Sequence, residues 1–401
     1  MKKVLSMVLV VTMLFSGCGG AEQTAEVPEK GAVTEPAEQK QEEIDPTKYA
    51  IPLELFWKKT SAAEEDVFTG SYDSLRLSAE SAAQYPALAE VIDTMREEDR
   101  ELFTETKAEM IEWAAEDEMD FEYYDENDIS VQRADNNIVS IRKDNSCFTG
   151  GAHGMYGSWG VNLDPNSGKV LLLSDVVTDM NRIPQLTAES ITERYTEELD
   201  YEDFSWLEES LEGYLVEEYN WTMDYEGITI YFNPYEIASY AAGLLTAKIS
   251  FAEHPELFHE AYMLSPKNGY AVRLDFSEHE FDFEPKDGKA DSVSVFGYFD
   301  DEKKQEKMNC WLNDEMILEN LYADAFVPYF VCTKEGGKEN YFLYIESAND
   351  NEYTMNIYEL SKEGASLLKE MAGCGFHRES YAEDGVYESI LQDPADIMQK
   401  Q

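Results

Sequence analysis

His153 stands in the run Thr149-Gly150-Gly151-Ala152-His153-Gly154, where a glycine-rich backbone can present an imidazole at the mouth of a loop, as a contact group or as a general base. Gly157 and Gly160 follow, so five glycines fall within eleven residues. Such density is expected where backbone must turn left-handed or approach another chain closely. Catalysis by His153 would need a serine, a cysteine or a second histidine poised beside it. None is placed that way in sequence, so the residues favour a histidine that hydrogen-bonds its own loop. Trp159, Tyr231, Asn233 and Tyr235 join Thr149, Gly150, Gly151, His153 and Gly154 as candidate ligand-binding residues. Trp159, Tyr231 and Tyr235 are nevertheless of types found more often in cores than on binding surfaces.

Other chemistry finds little support. There is no Gly-x-Ser-x-Gly elbow, no Walker-type loop and no His-Glu-x-x-His. His254 and His259 lie five apart, a spacing that diverges on a helix, and are expected at a solvated surface. Asp287, Gly288 and Asp291 offer too few oxygens for calcium. With 83 acidic residues, any pairing of carboxylates for glycoside hydrolysis is uninformative. No catalytic residue, metal or cofactor is therefore expected.

The elements that must position these residues can be read from periodicity. Between Ser78 and Trp113, Leu88, Val91, Ile92, Met95, Leu102, Phe103, Met110 and Trp113 recur at helical spacing, and Pro86 suits an early helical turn, so one or two amphipathic helices are expected. Ile129–Arg133 and Ile138–Arg142 flank Asp135-Asn136-Asn137, a hairpin signature. Trp159, Val161 and Leu163 alternate as in a strand, and Asp164-Pro165-Asn166-Ser167-Gly168 closes it with turn chemistry. A helix is expected from Ser174 or Pro184 through Leu186, Ile191 and Tyr195. Gly227–Phe232 alternates Ile228, Ile230 and Phe232 against Thr229 and Tyr231, which implies an aromatic outer face.

Beyond about Lys267 short alternating segments follow: Ala271–Phe276, Ser292–Tyr298, Asn309–Leu312, Phe326–Thr333, Tyr341–Glu346 and Tyr353–Leu360. They suggest an all-β module, a sandwich or a fragment of propeller-like sheet. The fold class expected is α+β: a mixed helix and antiparallel-sheet domain over 49–260, then a β-rich module over 268–401.

At 401 residues, with 43% hydrophobic and 12% aromatic content, the chain can bury more than one core. Its formal net charge of -52 argues against nucleic acid and favours a cationic partner. Lys2 and Lys3, the apolar run Val4–Phe15 and then Ser16-Gly17 have the form of a secretory signal over 1–17, too short to span a bilayer. Leu14-Phe15-Ser16-Gly17-Cys18 resembles the lipobox of bacterial lipoproteins, which implies Cys18 as the lipidated first residue and attachment to the membrane by a lipid anchor only, on its extracellular face. Residues 18–48 lack the apolar content to fold and are expected to be a disordered tether. Cys147, Cys310, Cys332 and Cys374 then allow three disulfide pairings.

The glycine run, together with Asn162-Leu163-Asp164, Gly168-Lys169, Leu173-Ser174-Asp175, Gly227 to Ala238 and Ala241-Ala242-Gly243, resembles a known envelope family. It is the extracytoplasmic domain shared by lysozyme-responsive anti-sigma factors and the non-catalytic region of a peptidoglycan deacetylase. The resemblance covers about Asp128 to Phe251, and Tyr85-Pro86-Ala87-Leu88 is similar to the segment preceding that domain. It implies a binding module for lysozyme or another cationic wall-active protein, or for peptidoglycan. The chain departs from the anti-sigma members in starting at a lipobox, with no cytoplasmic sigma-binding segment, and no polysaccharide deacetylase domain follows. The alternative is a cell-wall hydrolase or deacetylase that uses His153 and nearby carboxylates.

Overall fold

The structure is a computed structural model that describes residues 45–390 apart from 66, 117–121, 200–206, 208–210, 212–218, 275–277, 284–287, 289–290, 350–351 and 373–384. The expected signal over 1–17, Cys18 with residues 18–44 of the expected tether, Cys374 and Asp287 lie outside the described residues. The fold is mixed α+β with a β-rich C-terminal part, as the sequence patterns imply.

Strands β1 (Leu55–Glu64) and β2 (Phe68–Leu77) form an antiparallel hairpin that no sequence signal announced. β3 (Tyr123–Ala134) then pairs parallel to β2, which requires a crossover. Helices α1 (Ala79–Gln84) and α2 (Pro86–Glu116) supply it. Ser78 caps α1, its hydroxyl accepting from the Ser81 N–H at 3.1 Å, and Pro86 opens α2, where its missing donor costs nothing. Leu88, Ile92, Phe103 and Met110 are buried, and α2 packs across β2 and β3. Leu102 and Trp113, expected in the apolar stripe, are 62% and 42% exposed. Leu102 follows a helical rotation of about 100° from buried Phe103 and so leaves the core side.

β4 (Val139–Phe148) returns antiparallel to β3 through the expected Asx turn, in which Asp135 Oδ1 accepts from the N–H groups of Asn137 and Ile138. β5 (Met155–Leu163) pairs with β4 across the glycine-rich loop. A short C-terminal strand, β18 (Glu388–Ile390), adds to the far edge beside β1, so the sheet runs β18-β1-β2-β3-β4-β5.

The helix expected from Ser174 or Pro184 begins at the later position, as α4 (Ile183–Leu199), and a separate four-residue helix, α3 (Leu173–Val176), occupies the earlier one. α4 backs a three-stranded antiparallel sheet of β6 (Trp221–Met223), β7 (Gly227–Phe232) and β8 (Leu245–Ser250), with Ile183, Leu186 and Ile191 meeting Ile228, Ile230 and Ile249 in one core. The aromatic outer face expected of β7 is not open. Tyr231 is buried, its hydroxyl 2.8 Å from Thr222 Oγ1.

The C-terminal strands β9 (Gly269–Arg273), β10 (Glu278–Phe281), β11 (Asp291–Asp300), β12 (Gln305–Leu312), β13 (Glu315–Ala323), β14 (Ala325–Glu335), β15 (Lys338–Asn349), β16 (Glu352–Ser361) and β17 (Gly364–Ala372) form two antiparallel sheets. Their orders are β10-β11-β12-β13 and β17-β16-β15-β14-β9. Val295, Met308 and Cys310 of one share a core with Phe330, Leu343 and Ile345 of the other, so the module is a sandwich. Cys147 and Cys310 are free thiols, the latter pushed up to about 12 by burial.

Candidate functional site

The glycine-rich loop and β5 distribute the candidate residues over three places. Gly150 and Gly151 have φ of 90° and 102°, so the loop turns left-handed as glycine permits. Thr149, Gly151 and His153 are exposed and Gly154 is half-buried. His153 stacks on Tyr240 with ring centroids 4.1 Å apart, and its Nδ1 lies 2.8 Å from the Gly154 carbonyl, which also accepts from the Tyr240 hydroxyl at 2.7 Å. Tyr156 and Tyr235 each approach Tyr240 to 5.6 Å, and Tyr235 is 60% exposed at a φ of 75°. His153 therefore holds its own loop and shares an open aromatic patch. Tyr240, which completes that patch, carried no sequence signal.

Asn233 does different work. Its Oδ1 accepts from the Ser158 N–H at 2.7 Å and its Nδ2 donates to the Ser158 carbonyl at 3.3 Å, as a neighbouring strand would. Asn220 treats the same edge alike, accepting from the Gly160 N–H at 2.7 Å and donating to the Ser158 carbonyl at 2.6 Å. Asn162 Nδ2 donates to the Trp221 carbonyl at 2.8 Å. Side-chain amides thus substitute for ladder bonds where β5 meets β6 and β7.

Trp159 points elsewhere. It shares the β5 face with Gly157, and a Cβ built at Gly157 would come within 2.8 Å of Trp159 Cη2, so the indole lies back over the glycine. It forms one rim of a cleft of about 430 Å³ between α2 and the face of β3–β5. Strand register sets the floor: Ile129, Lys143 and Trp159 form one row, and Asn127, Asn145 and Gly157 the next. Asn145 Nδ2 donates to Asp125 Oδ1 and Asn127 Oδ1, both at 2.9 Å, while Asn127 Nδ2 donates to Asp125 Oδ2 at 2.8 Å. From α2, Phe103 and Leu102 bring apolar surface, and Asp99 reaches down to pair with Lys143.

Among the described residues, Asp73, Asp99, Asp125, Asp128 and Asp144 line this cleft against one lysine, Lys143. Asp73 accepts from the Ile129 N–H at 2.9 Å, just past the last β2–β3 pair, Tyr72 with Asn127. Burial alone would depress the nearby Lys59 ammonium, but Asp128, Asp73 and Glu126 outweigh it and hold its pKa above the ordinary lysine value. Aromatic faces with carboxylate and amide forks suit two ligand chemistries: the C–H and O–H groups of a sugar, or a cationic side chain. The carboxylates, missed as candidates because acidic residues are everywhere in the sequence, become specific only through this geometry.

Comparison with known proteins divides the chain similarly. Residues 63–156 match the family described as "Deacetylase PdaC". Residues 174–252 match the one described as "Protein of unknown function (DUF3298)". The chain thus carries both domains, and the stretch of resemblance read from the sequence extends further towards the N-terminus than Asp128. The first match holds every residue named around the cleft except Lys59, Gly157 and Trp159; the second holds Tyr231, Asn233 and Tyr235. A crystal structure of a DUF3298 family member from Bacteroides fragilis is 20% identical, with a TM-score of 0.36, and the alignment covers 53% of this chain and 96% of that one. A DUF3298 family protein from Pseudomonas aeruginosa PAO1 is 17% identical, with a TM-score of 0.35, over 54% of this chain and 98% of its own. No curated protein matches the chain.

Proposed function

We propose that this chain is a lipid-anchored, non-catalytic binding module of the cell envelope, which takes cell-wall glycan in the acidic, aromatic cleft beneath α2. The observation that carries this is Trp159, 48% exposed and lying over Gly157 at the rim of a floor of amides and carboxylates. The match of that region to a deacetylase family supports a wall-related role. Cosedimentation with purified insoluble peptidoglycan tests it: Trp159→Ala should weaken binding by about tenfold, the loss of about 1.4 kcal/mol, with unchanged thermal unfolding. Equal binding by the variant would remove the cleft from the proposal.

A cationic wall-active protein such as lysozyme is the second occupant, favoured by the net charge of -52. Its affinity should fall steeply as salt rises; no heat on titration at low salt would dismiss it. Anchorage through Cys18 belongs to the same proposal, and Cys18→Ala should release the protein from the membrane fraction. A non-catalytic role is supported by His153, which stacks on the Tyr240 ring and turns its Nδ1 to the Gly154 carbonyl, contacts that hold its own loop. Acetate or muropeptide release from purified wall, abolished in His153→Ala, would reverse that part.

A further inference from the structure

Acidic residues outnumber basic ones by 83 to 31, yet four basic side chains, Arg142, Arg194, Lys248 and Arg273, gather with His279 around one cavity of about 400 Å³. The cavity lies where β4, α4, β8, β9 and β10 come together, so its walls are drawn from all three parts of the fold. Among the described residues one carboxylate lines it, Asp224, and that group is already engaged. Its Oδ2 takes Lys248 Nζ at 2.6 Å and faces His279 Nδ1 at 3.4 Å, and its Oδ1 accepts from the N–H groups of Glu226 and Gly227 at 2.7 and 2.9 Å. Arg142 shares its charge with Asp144 at 2.8 Å, and Arg194 donates to the Thr246 hydroxyl at 2.7 Å. Among the described residues the lining still sets four basic side chains against one acidic one, the reverse of the proportion in the whole sequence.

A second observation points to a ligand. His279 is 2% exposed, and its Nε2 is buried with no hydrogen-bond partner among the described residues. A buried polar nitrogen left unmatched is costly and unusual in a folded core. With Nδ1 turned to Asp224, Nε2 keeps an unmatched acceptor in the neutral ring and an unmatched donor once the ring is protonated, which a ligand entering the cavity could satisfy. Arginine forks beside it match the paired oxygens of a carboxylate or phosphate.

We infer that this cavity is a binding site for a small oxyanion-bearing molecule, held by the Arg142, Arg194 and Arg273 guanidinium groups and by His279. Its volume suits a ligand of amino-sugar or short-peptide size rather than a polymer. No described residue lines both this site and the glycan cleft, although the Arg142–Asp144 pair stands between them.

Calorimetric titration of the full chain at low ionic strength tests the inference, with inorganic phosphate and succinate as probes and neutral succinamide, the uncharged counterpart of succinate, as control. At least one anion should bind with a Kd below about 1 mM and raise the melting temperature, while the control does neither. Binding by phosphate alone assigns a phosphorylated ligand, and binding by succinate alone a carboxylate one. Arg194→Gln and His279→Gln should each weaken binding by about tenfold. Arg194 is half-buried, so its variant keeps the test open if His279→Gln unfolds; circular dichroism separates the two cases. Trp159→Ala should leave anion affinity unchanged. Absence of heat and of any melting shift with both anions, or full affinity in a folded Arg194→Gln, would overturn the site.

Discussion

At Gly160 the absence of one carbon lets two sheets meet. A Cβ there would stand 1.8 Å from the Trp221 carbonyl oxygen, so β5 and β6 would have to part and the amide bridges of Asn162 and Asn220 would break with them. Gly160→Ala should therefore lower stability by at least about 3 kcal/mol in urea unfolding. Gly151→Ala meets nothing within 4 Å and pays only for its φ of 102°, about 1–2 kcal/mol. Similar losses in the two variants would refute the close-approach argument. Titration of the buried trio is also a property of single residues. Burial would raise the Asp224 carboxyl, but Lys248 and His279 outweigh it and hold its pKa far below the ordinary carboxylate range. Burial, only partly offset by Asp224, holds the His279 pKa below the ordinary histidine value, with Lys248 pushing the same way. Both shifts are depressions, so both groups bind protons more readily in the unfolded chain, and their contribution to stability is present at neutral pH and lost as pH falls. The His279 part should fade below about pH 6.5 and the Asp224 part below about pH 4. The difference in unfolding free energy between wild type and His279→Gln, followed downward in pH, should shrink; a constant difference would contradict the assignment.

At the scale of elements, the crossover through α1 and α2 makes the cleft possible, because a parallel β2–β3 pair leaves one face of β3–β5 to be roofed by the helix. The start of that crossover hangs on Ser78, whose hydroxyl accepts from the Ser81 N–H. Ser78→Ala should cost about 1 kcal/mol in thermal or chemical unfolding, the value of a lost cap. No change would mean that packing alone fixes the turn into α1. The helices were legible because caps and apolar repeats are relations between near neighbours. β13 and β17 escaped notice for the opposite reason. Both are sheet-edge strands with mostly exposed or half-exposed side chains, so the alternation that marks a half-buried strand is weak in them.

Across the whole molecule, Arg133 acts as a bolt. Fully buried, it pairs with Asp135 at 2.7 Å and lies over the Tyr225 ring at 4.6 Å. It also donates to the carbonyls of Asp224, Tyr262 and Leu264 at 3.2, 2.5 and 3.0 Å. One side chain from the first sheet thereby satisfies backbone from the second and from the chain entering the sandwich. Arg133→Met should destabilise by about 3–5 kcal/mol in chemical denaturation, since Asp135 is left buried and uncompensated; a loss under about 1 kcal/mol would show the bolt to be dispensable. Nothing in the sequence around Arg133 marks it, because its partners lie up to 131 residues away. The sequence by itself determined the α+β class, the crossover helices, the Asx hairpin, the glycine-built loop and an acidic surface, all of which follow from local periodicity, turn chemistry or simple composition. Only the tertiary structure decided that Trp159 stands at an open cleft while Tyr231 is buried, that Asn233 closes a sheet edge, and that scarce basic residues share one cavity with His279. Those outcomes depend on which distant strands become neighbours, and strand register, not spacing along the chain, brings such side chains together.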